Sequence, residues 1–329
     1  MSTLSLGNPL RPALLAAGRS HRLERLITRL GVTRTFVQRF VPGEAEQAVL
    51  DATAGLLGTG RYVSVDYLGE DTTDVARAEV TVRSYLSLLR GYLSLLRAYP
   101  TLAAPAEGGV EPVEVSIKLS ALGQALPGIG RGVALENARR ICSAAAELGA
   151  GVTVDAEDHT TTDSTLSIVR ELREDFPHLG TVLQAYLRRT EQDCRDLSGP
   201  HSRIRLCKGA YSEPASVAFQ KPAEVDGSYL RCLQVLMDGQ GYPMVASHDP
   251  MIIEAAQGMV QDSGRSEGDF EFQMLYGIRD EEQRRLVDAG HHLRVYTPYG
   301  DQWYSYFMRR LAERPANVIF LLRSILSRS

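Results

Sequence analysis

The chain has 329 residues, of which 44% are hydrophobic and 23% are charged, and its formal net charge is −4. This composition is typical of a globular protein with a large core, and the slight negative charge argues against a nucleic-acid-binding protein. The four cysteines form no C-x-x-C pair, no apolar run reaches 18 residues, and no signal-peptide pattern is present. These features predict a cytoplasmic protein, and they are compatible with a peripheral contact with the inner face of a membrane.

Residues 1–60 are predicted to form a helical N-terminal segment rather than an independent domain. Apolar residues recur at helical spacing over Leu14–Leu30 and again over Glu44–Leu57. From residue 61 the pattern changes, and residues 61–329 are predicted to form a single catalytic domain.

After residue 61, eight short β-rich runs alternate with longer helical patterns, and this alternation predicts an α/β protein with a TIM-type (β/α)8 barrel. The alternative is a doubly wound open sheet, but no G-x-G-x-x-G turn follows any of the runs. The predicted strands are Tyr62–Tyr67, Val113–Leu119, Gly151–Ala156, Thr181–Ala185, Arg203–Cys207, Pro243–Ala246, Phe270–Leu275 and Leu293–Tyr296. The predicted helices are Thr73–Tyr99, Gly132–Leu148, Ser164–Phe176, Glu191–Leu197, Tyr229–Gln240, Pro250–Val260, Asp280–Ala289 and Gln302–Ala312.

The first of these helices contains a direct repeat. The sequence Tyr85-Leu-Ser-Leu-Leu-Arg90 recurs seven residues later as Tyr92-Leu-Ser-Leu-Leu-Arg97. Two heptads are too short for a coiled coil. The repeat therefore predicts a long helix with one apolar face on the barrel, rather than a partner-binding helix.

Polar or charged residues lie at or just after the C-terminal ends of all eight predicted strands. TIM barrels place their chemistry at the C-terminal ends of the strands, so these ends predict a concave polar site. The residues are Asp66, Glu70, Lys118, Asp155, Glu157, Asp158, His159, Gln184, Arg205, Lys208, His248, Asp249, Gln273 and Tyr296.

Several of these residues have structural alternatives. An ion pair inside the barrel between Lys118 and Asp155 explains both residues as well as a catalytic role does, and Asp155 could equally cap the following loop. Glu157, Asp158 and His159 resemble metal ligands. Three adjacent residues cannot all face one ion, so no metal site is predicted.

The last helical pattern carries two adjacent arginines. Tyr306, Arg309, Arg310 and Glu313 fall within an arc of about 100° on a helix. Paired guanidiniums bind a carboxylate or phosphate bidentately, which indicates an anion site. A solvated basic face with an Arg309–Glu313 pair is the alternative for this helix taken alone. Elsewhere, Gly209 would permit close approach of the backbone to a phosphate or a flat ring.

Seven motifs, in order and at compatible spacing from about Asp66 to Asn317, resemble those of the proline dehydrogenase family, in its short monofunctional bacterial form. They are Val115-Ser-Ile-Lys118-Leu-Ser-Ala121, Val154-Asp155-Ala-Glu157, Gln184-Ala-Tyr186, Arg205-Leu-Cys-Lys208-Gly-Ala-Tyr211, Ala246-Ser-His248-Asp249, Phe270-Glu-Phe-Gln273-Met-Leu-Tyr-Gly277, and Arg294-Val-Tyr296 with Tyr306-Phe-Met-Arg309-Arg310-Leu-Ala-Glu313.

The resemblance implies a distorted (β/α)8 barrel that holds FAD non-covalently. It implies oxidation of L-proline to 1-pyrroline-5-carboxylate, the first step of proline catabolism. A hydride would pass from the ring carbon next to the nitrogen to flavin N5, and the electrons would then pass to a membrane quinone. Because the deprotonated amine is the reactive form, activity is expected to rise with pH.

The resemblance also implies roles for the residues at matching positions. Arg309, Arg310 and Lys118 would bind the substrate carboxylate. Glu70 would pair with Arg309 as a gate when substrate is absent. The other substrate-site residues would be Tyr296 and Tyr306 against the proline ring, Leu206 near the flavin, and Asp155, which would support Tyr211.

The residues implied around FAD are Gln184, Arg205, Cys207, Lys208, Gly209, Ala210, Tyr211, Lys221, His248, Gln273 and Glu313. Two positions depart from the family pattern. Ser212 stands where some members have Trp, and Pro222 stands where Lys is common, with Lys221 as its substitute. Tyr296 favours proline over hydroxyproline, because relatives that oxidise hydroxyproline have a smaller residue there.

Two other functions fit parts of the sequence. An aldolase on the same barrel could use Lys118 or Lys208 as a Schiff-base amine. A non-catalytic module could use the arginine pair as an anion receptor, but this function would leave the polar strand ends unexplained.

Overall fold

The structure is a computed structural model in which residues 37–98 and 110–313 are described, without the side chains of Ala312 and Glu313. The predicted helix Leu14–Leu30 lies outside the described residues. No helix in the described ranges is both long and apolar enough to cross a bilayer.

Eight parallel strands form a closed barrel in sequential order, as predicted. The strand β8 pairs with β1 from Tyr62↔Arg294 to Tyr67↔Tyr299 and closes the barrel. It extends beyond the predicted Tyr296 because Thr297, Pro298 and Tyr299 continue the pairing with β1. The strands are β1 (Tyr62–Tyr67), β2 (Val113–Ile117), β3 (Gly151–Val154), β4 (Gly180–Gln184), β5 (Arg203–Cys207), β6 (Tyr242–Ala246), β7 (Glu271–Leu275) and β8 (His292–Tyr299).

The described helices lie near their predicted positions, with one large difference in α6. This helix begins at Pro222 rather than Tyr229, because Pro222 favours the first helical turn and the Glu224 side chain accepts a hydrogen bond from the backbone N–H of Lys221 at 3.4 Å. The helices are α1 (Glu46–Leu57), α2 (Val75–Ala98), α3 (Gly130–Leu148), α4 (Thr162–Arg173), α5 (Thr190–Leu197), α6 (Pro222–Asp238), α7 (Pro250–Ser263), α8 (Asp280–Asp288) and α9 (Trp303–Glu313).

The repeated heptad packs on the barrel wall, as predicted. Tyr85 and Tyr92 of α2 are fully buried among the apolar residues that strands β1 and β2 direct outward. The Tyr85 hydroxyl donates to the Ser116 carbonyl at 2.7 Å, and the Tyr92 hydroxyl donates to the Glu114 carbonyl at 3.4 Å. The two tyrosines therefore bind alternate carbonyls of β2, which fixes the helix along this strand.

The barrel is distorted at its last helix. The helix α1 packs beside β8 and β1. The helix α9 instead packs against Leu68 and Ile278, which follow β1 and β7, and against Tyr296 of β8. It is held there by Phe40, which contacts Phe307, and by a 3.0 Å hydrogen bond from Trp303 to Glu44. The helix α9 consequently covers the C-terminal end of the barrel, here called the mouth.

Candidate active site

The barrel interior below the mouth contains charged residues where TIM barrels usually have branched apolar ones. Glu114 of β2 is fully buried and lies 3.0 Å from both Arg203 and Arg205 of β5 and 3.8 Å from Arg294 of β8. Burial opposes ionisation, but these guanidiniums lower the pKa of Glu114 to about 2. Arg294 also binds Glu271 of β7 at 2.8 Å. Strands that are distant in the sequence are thus joined by ion pairs.

A second layer of polar residues lies above, at the strand ends. The Lys118 ammonium lies 2.5 Å from Asp66 and 3.5 Å from Asp155. The Tyr296 hydroxyl lies 2.6 Å from Asp66 and 2.9 Å from Asp155. Burial opposes the charge on Lys118, but the two aspartates raise its pKa. Lys118 therefore remains charged, and the predicted Lys118–Asp155 proximity is present together with a shorter contact to Asp66.

Arg205 connects the two layers. Its Nη1 atom donates to Asp155 at 2.6 Å and to Ser116 at 2.9 Å, while Nη2 donates to Glu114 at 3.0 Å. Its guanidinium lies 5.4 Å from the ring centre of Tyr296. The buried Nε atom has no hydrogen-bond partner within the ranges 37–98 and 110–313. Arg205 is therefore a fixed cation with a remaining donor.

The helix α9 brings the arginine pair over the mouth. The Arg309 guanidinium binds Glu70, which follows β1, at 2.7 and 3.3 Å. The Arg310 guanidinium stacks 5.0 Å from the ring centre of Tyr306, which is itself buried. The charge of Glu70 raises the pKa of Arg309 against the opposing effect of burial. The predicted pairing of Glu70 with Arg309 is present.

Lys208 and Gly209, on the loop after β5, contact groups of this chain. Lys208 lies 2.6 Å from Asp226 and 2.9 Å from Asp249. Gly209 has a φ of +112°, and a Cβ added there would lie 2.3 Å from the ring of Tyr186. The flat ring for which Gly209 makes room in this structure is thus Tyr186.

The trio Glu157, Asp158 and His159 does not converge on one point. Glu157 accepts a 3.0 Å hydrogen bond from the Ser120 backbone, Asp158 accepts one at 2.8 Å from the Thr160 backbone, and His159 contacts Glu213. The described residues contain no cluster of three or more His, Cys, Asp or Glu that could hold a metal ion.

Glu157 is a buried carboxyl whose ionisation sequence reasoning did not anticipate. Burial raises its pKa from 4.5 to about 7, against hydrogen bonds from Ser120 that lower it. The raised pKa means that the folded state favours protonated Glu157. The contribution of this group to the free energy of unfolding is therefore fully present below pH 4.5 and is lost as the pH rises through about 7.

We therefore expect Glu157→Gln to raise the melting temperature relative to wild type at pH 8 and to change it little at pH 5. The pH-dependent part of the difference in the free energy of unfolding between the two proteins should reach at most about 3 kcal/mol. Thermal unfolding of both proteins across this pH range measures it. A difference that does not vary with pH would contradict the raised pKa.

Most of the other sequence-predicted residues lie near the mouth, whereas Lys221 and Glu313 do not contribute a described side chain there. Those at the strand ends and the loop after β5 are Gln184, Cys207, Ala210, Tyr211, His248 and Gln273; of these, Gln184 and Gln273 are buried. His248 accepts a 2.9 Å hydrogen bond from the backbone of Leu275. The Lys221 side chain is 80% exposed before α6, away from the buried network. Glu313 ends α9, and its side chain is outside the described residues.

Leu206 does not face the mouth. Along β5 it alternates with Arg205 and Cys207, so its side chain points to the opposite face of the strand. It is fully buried and packs in the core between the strands and the helices. Leu275, at the end of β7, was not among the predicted site residues. It follows the inward-facing Glu271 and Gln273 by steps of two, so it points into the mouth and remains partly exposed. The alternation along β7 was the signal that could have identified it.

Comparison with known proteins identifies the family of the chain. The family profile described as proline dehydrogenase matches residues 49–323. The chain belongs to the proline dehydrogenase family. Family membership confirms the resemblance predicted from the motifs and makes the chain an oxidoreductase.

Two curated proline dehydrogenases resemble the chain over most of its length. The enzyme of Deinococcus radiodurans is 39% identical over 88% of this chain and 89% of its own length. Proline dehydrogenase 1 of Bacillus subtilis strain 168 is 36% identical over 90% of this chain and 92% of its own length.

Among solved structures, proline utilization A of Bdellovibrio bacteriovorus superposes with a TM-score of 0.78 at 23% identity. The match covers 92% of this chain but only 36% of that longer chain. At this identity the likeness concerns the fold alone, and it agrees with the (β/α)8 barrel.

Proposed function

We propose that this chain oxidises L-proline to 1-pyrroline-5-carboxylate, with FAD as its cofactor. The observation that carries the proposal is the Glu70–Arg309 ion pair at the mouth. The carboxylate of Glu70 binds the guanidinium of Arg309 on α9. The charge of Glu70 also raises the pKa of Lys118. The site is therefore built to bind a carboxylate, and proline supplies one.

The shape and chemistry of the mouth suit the rest of the substrate. Tyr296 packs against the α9 cluster that contains Tyr306, so aromatic surface is available for the pyrrolidine ring. Arg309 and Arg310 would hold the carboxylate together with Lys118, after Glu70 releases Arg309. The helix α9 would exclude water from the bound ring. Activity should rise with pH as the substrate amine loses its proton.

The residues below the mouth fit a flavin. Arg205 is a buried cation with an unused Nε donor among the described residues, and Gln184 and Gln273 add buried amides. A cation of this kind stabilises a reduced, negatively charged ring. Gln184, Arg205, Lys208, His248 and Gln273 would hold FAD, which supplies a two-electron acceptor when bound. The electrons would then pass to a quinone, through a peripheral contact with the membrane.

The absorption spectrum of the purified protein tests this function. We expect a yellow protein with flavin absorption that is bleached by L-proline. A colourless protein in which borohydride traps a substrate on lysine would instead indicate the aldolase alternative. The structure argues against that alternative, because Lys118 and Lys208 each lie within 3.5 Å of two carboxylates and their pKa values are raised despite burial. A charged amine is a poor nucleophile.

Tyr296 is the expected determinant of ring size. We predict that Tyr296→Ser admits hydroxyproline because it removes the ring against which the extra hydroxyl would collide. Its own hydroxyl also binds Asp66 and Asp155, so Tyr296→Phe is the matched control that loses these bonds but keeps the ring. The kcat/KM ratio for hydroxyproline over proline should rise in the Ser variant only. A ratio unchanged in Tyr296→Ser would contradict the steric explanation.

A further inference from the structure

Asp66 has no role in the proposed function described so far, yet it lies at the centre of the buried network. It is the penultimate residue of β1, faces inward two residues after Ser64, and is fully buried. Its Oδ2 atom lies 2.5 Å from the Lys118 ammonium and 2.6 Å from the Tyr296 hydroxyl. These two contacts are shorter than the corresponding contacts of Asp155, at 3.5 and 2.9 Å.

We propose that Asp66 is a positioning residue of the substrate site, which holds the Lys118 ammonium and the Tyr296 hydroxyl in place and keeps Lys118 charged. This inference deepens the proposed function and rests on it, because Lys118 is the cation expected on the proline carboxylate. Asp66 itself would not touch the substrate. Its effect would pass through Lys118, which directly follows β2, and through Tyr296 of β8, and these two strands lie on either side of β1.

The division of labour between the two aspartates supports this role. Asp155 is already engaged by Arg205 at 2.6 Å and by Ser116 at 2.7 Å, both through Oδ1. Asp66 has a Tyr85 hydroxyl 3.4 Å from Oδ1, but its Oδ2 faces Lys118 and Tyr296. The carboxylate that remains to fix Lys118 is therefore Asp66.

Electrostatics points the same way. Burial lowers the pKa of Lys118, and the largest opposing effect is the charge of Asp66, followed by those of Asp155 and Glu70. The neutral Tyr296 hydroxyl, 3.3 Å from the ammonium, completes its surroundings. Without the charge of Asp66, Lys118 would keep only a carboxylate at 3.5 Å that Arg205 also neutralises, so its pKa would fall.

The first test uses the flavin-loaded protein and a proline analogue in which a ring oxygen replaces the nitrogen, so that it binds through its carboxylate but is not oxidised. We expect Asp66→Asn to weaken analogue binding about tenfold or more at pH 7, the scale of one charge-assisted contact. Binding to Asp66→Asn should weaken further between pH 7 and 10, as Lys118 loses its proton, while wild type should show no such step.

The control for this test is Asp280→Asn, which removes an aspartate 2.5 Å from Arg61 in an ion pair outside the buried network. It should leave the affinity for the analogue and its pH profile as in wild type. If Asp66→Asn has the wild-type affinity and pH profile, the proposal is overturned.

A double-mutant cycle in thermal unfolding tests the Asp66–Lys118 coupling without any substrate. Lys118→Met leaves Asp66 buried beside no ammonium, so this variant should melt well below wild type. The double variant Asp66→Asn/Lys118→Met removes that uncompensated charge and should melt higher than Lys118→Met alone. Additive losses would overturn the proposal, even if Asp66→Asn itself folds too poorly for binding measurements. A protein that shows the coupling but is not bleached by proline would refute the proposed function instead.

Discussion

Replacing Glu114 with glutamine should lower the free energy of unfolding by about 3–5 kcal/mol, the cost of leaving buried charges without their partner. Glutamine keeps the shape of the side chain but removes the charge that faces Arg203, Arg205 and Arg294. Arg205 would keep Asp155 and Arg294 would keep Glu271. Arg203 would lose its carboxylate contact, and we expect the damage to concentrate there.

Urea unfolding at pH 7 measures this difference. The matched control is Glu171→Gln, which breaks an exposed pair with Arg131 and should cost less than about 1 kcal/mol. The pKa of Glu114 is lowered on folding, so its stabilisation is present above pH 4.5 and is lost as the pH falls through about 2. The difference in the free energy of unfolding between wild type and Glu114→Gln should therefore become smaller as the pH falls over that range. Equal unfolding free energies at pH 7 would show that the buried ion pairs contribute no stability.

The second large effect is expected for the arginine pair of α9. Arg309→Met and Arg310→Met should each raise the KM for proline by about 30- to 150-fold, since a charge-assisted contact is worth about 2–3 kcal/mol. Arg310→Met should have the larger effect. Arg309 must first release Glu70, and the loss of that ion pair reduces the net free energy that its contact with the substrate contributes to binding.

Steady-state kinetics of the flavin-loaded variants measures both effects. Arg285→Met is the surface control, because this arginine pairs with Glu282 on exposed α8 and should leave KM unchanged. Glu70→Gln should move KM in the opposite direction, downward, because it removes the carboxylate that competes for Arg309. Unchanged KM in both arginine variants would refute the carboxylate-binding role.

The sequence was sufficient to predict the barrel and the order of its strands. The alternation of β-rich and helical patterns depends on local periodicity, which the structure preserves from β1 to β8. Local signals also explain the one large boundary error. Gly227 and Asp226 are weak helix formers just before Tyr229, whereas the start of α6 is set by Pro222 and Glu224.

The candidate site was predictable as a set of strand ends but not as a network. Asp66, Lys118 and Tyr296 were each recognisable at a strand end, yet their contacts depend on the order in which strands close the barrel. Side-chain direction was also not available from motif position alone. Leu206 was placed by motif position, although its alternation with Arg205 turns it towards the helices.

The closure of the barrel by β8 has a consequence for how the chain must fold during synthesis. Glu114 is made early, but its counter-charges come from β5, 89 residues later, and from β8, the last strand. The wall formed by β1 and β2 therefore leaves the ribosome with an unneutralised carboxylate facing inward. Since N-terminal parts emerge first, Glu114 meets its first counter-charges only when β5 is made, and Glu271 of β7 meets Arg294 only when β8 is made. Completion of the chain is then coupled to the expulsion of water from the lumen.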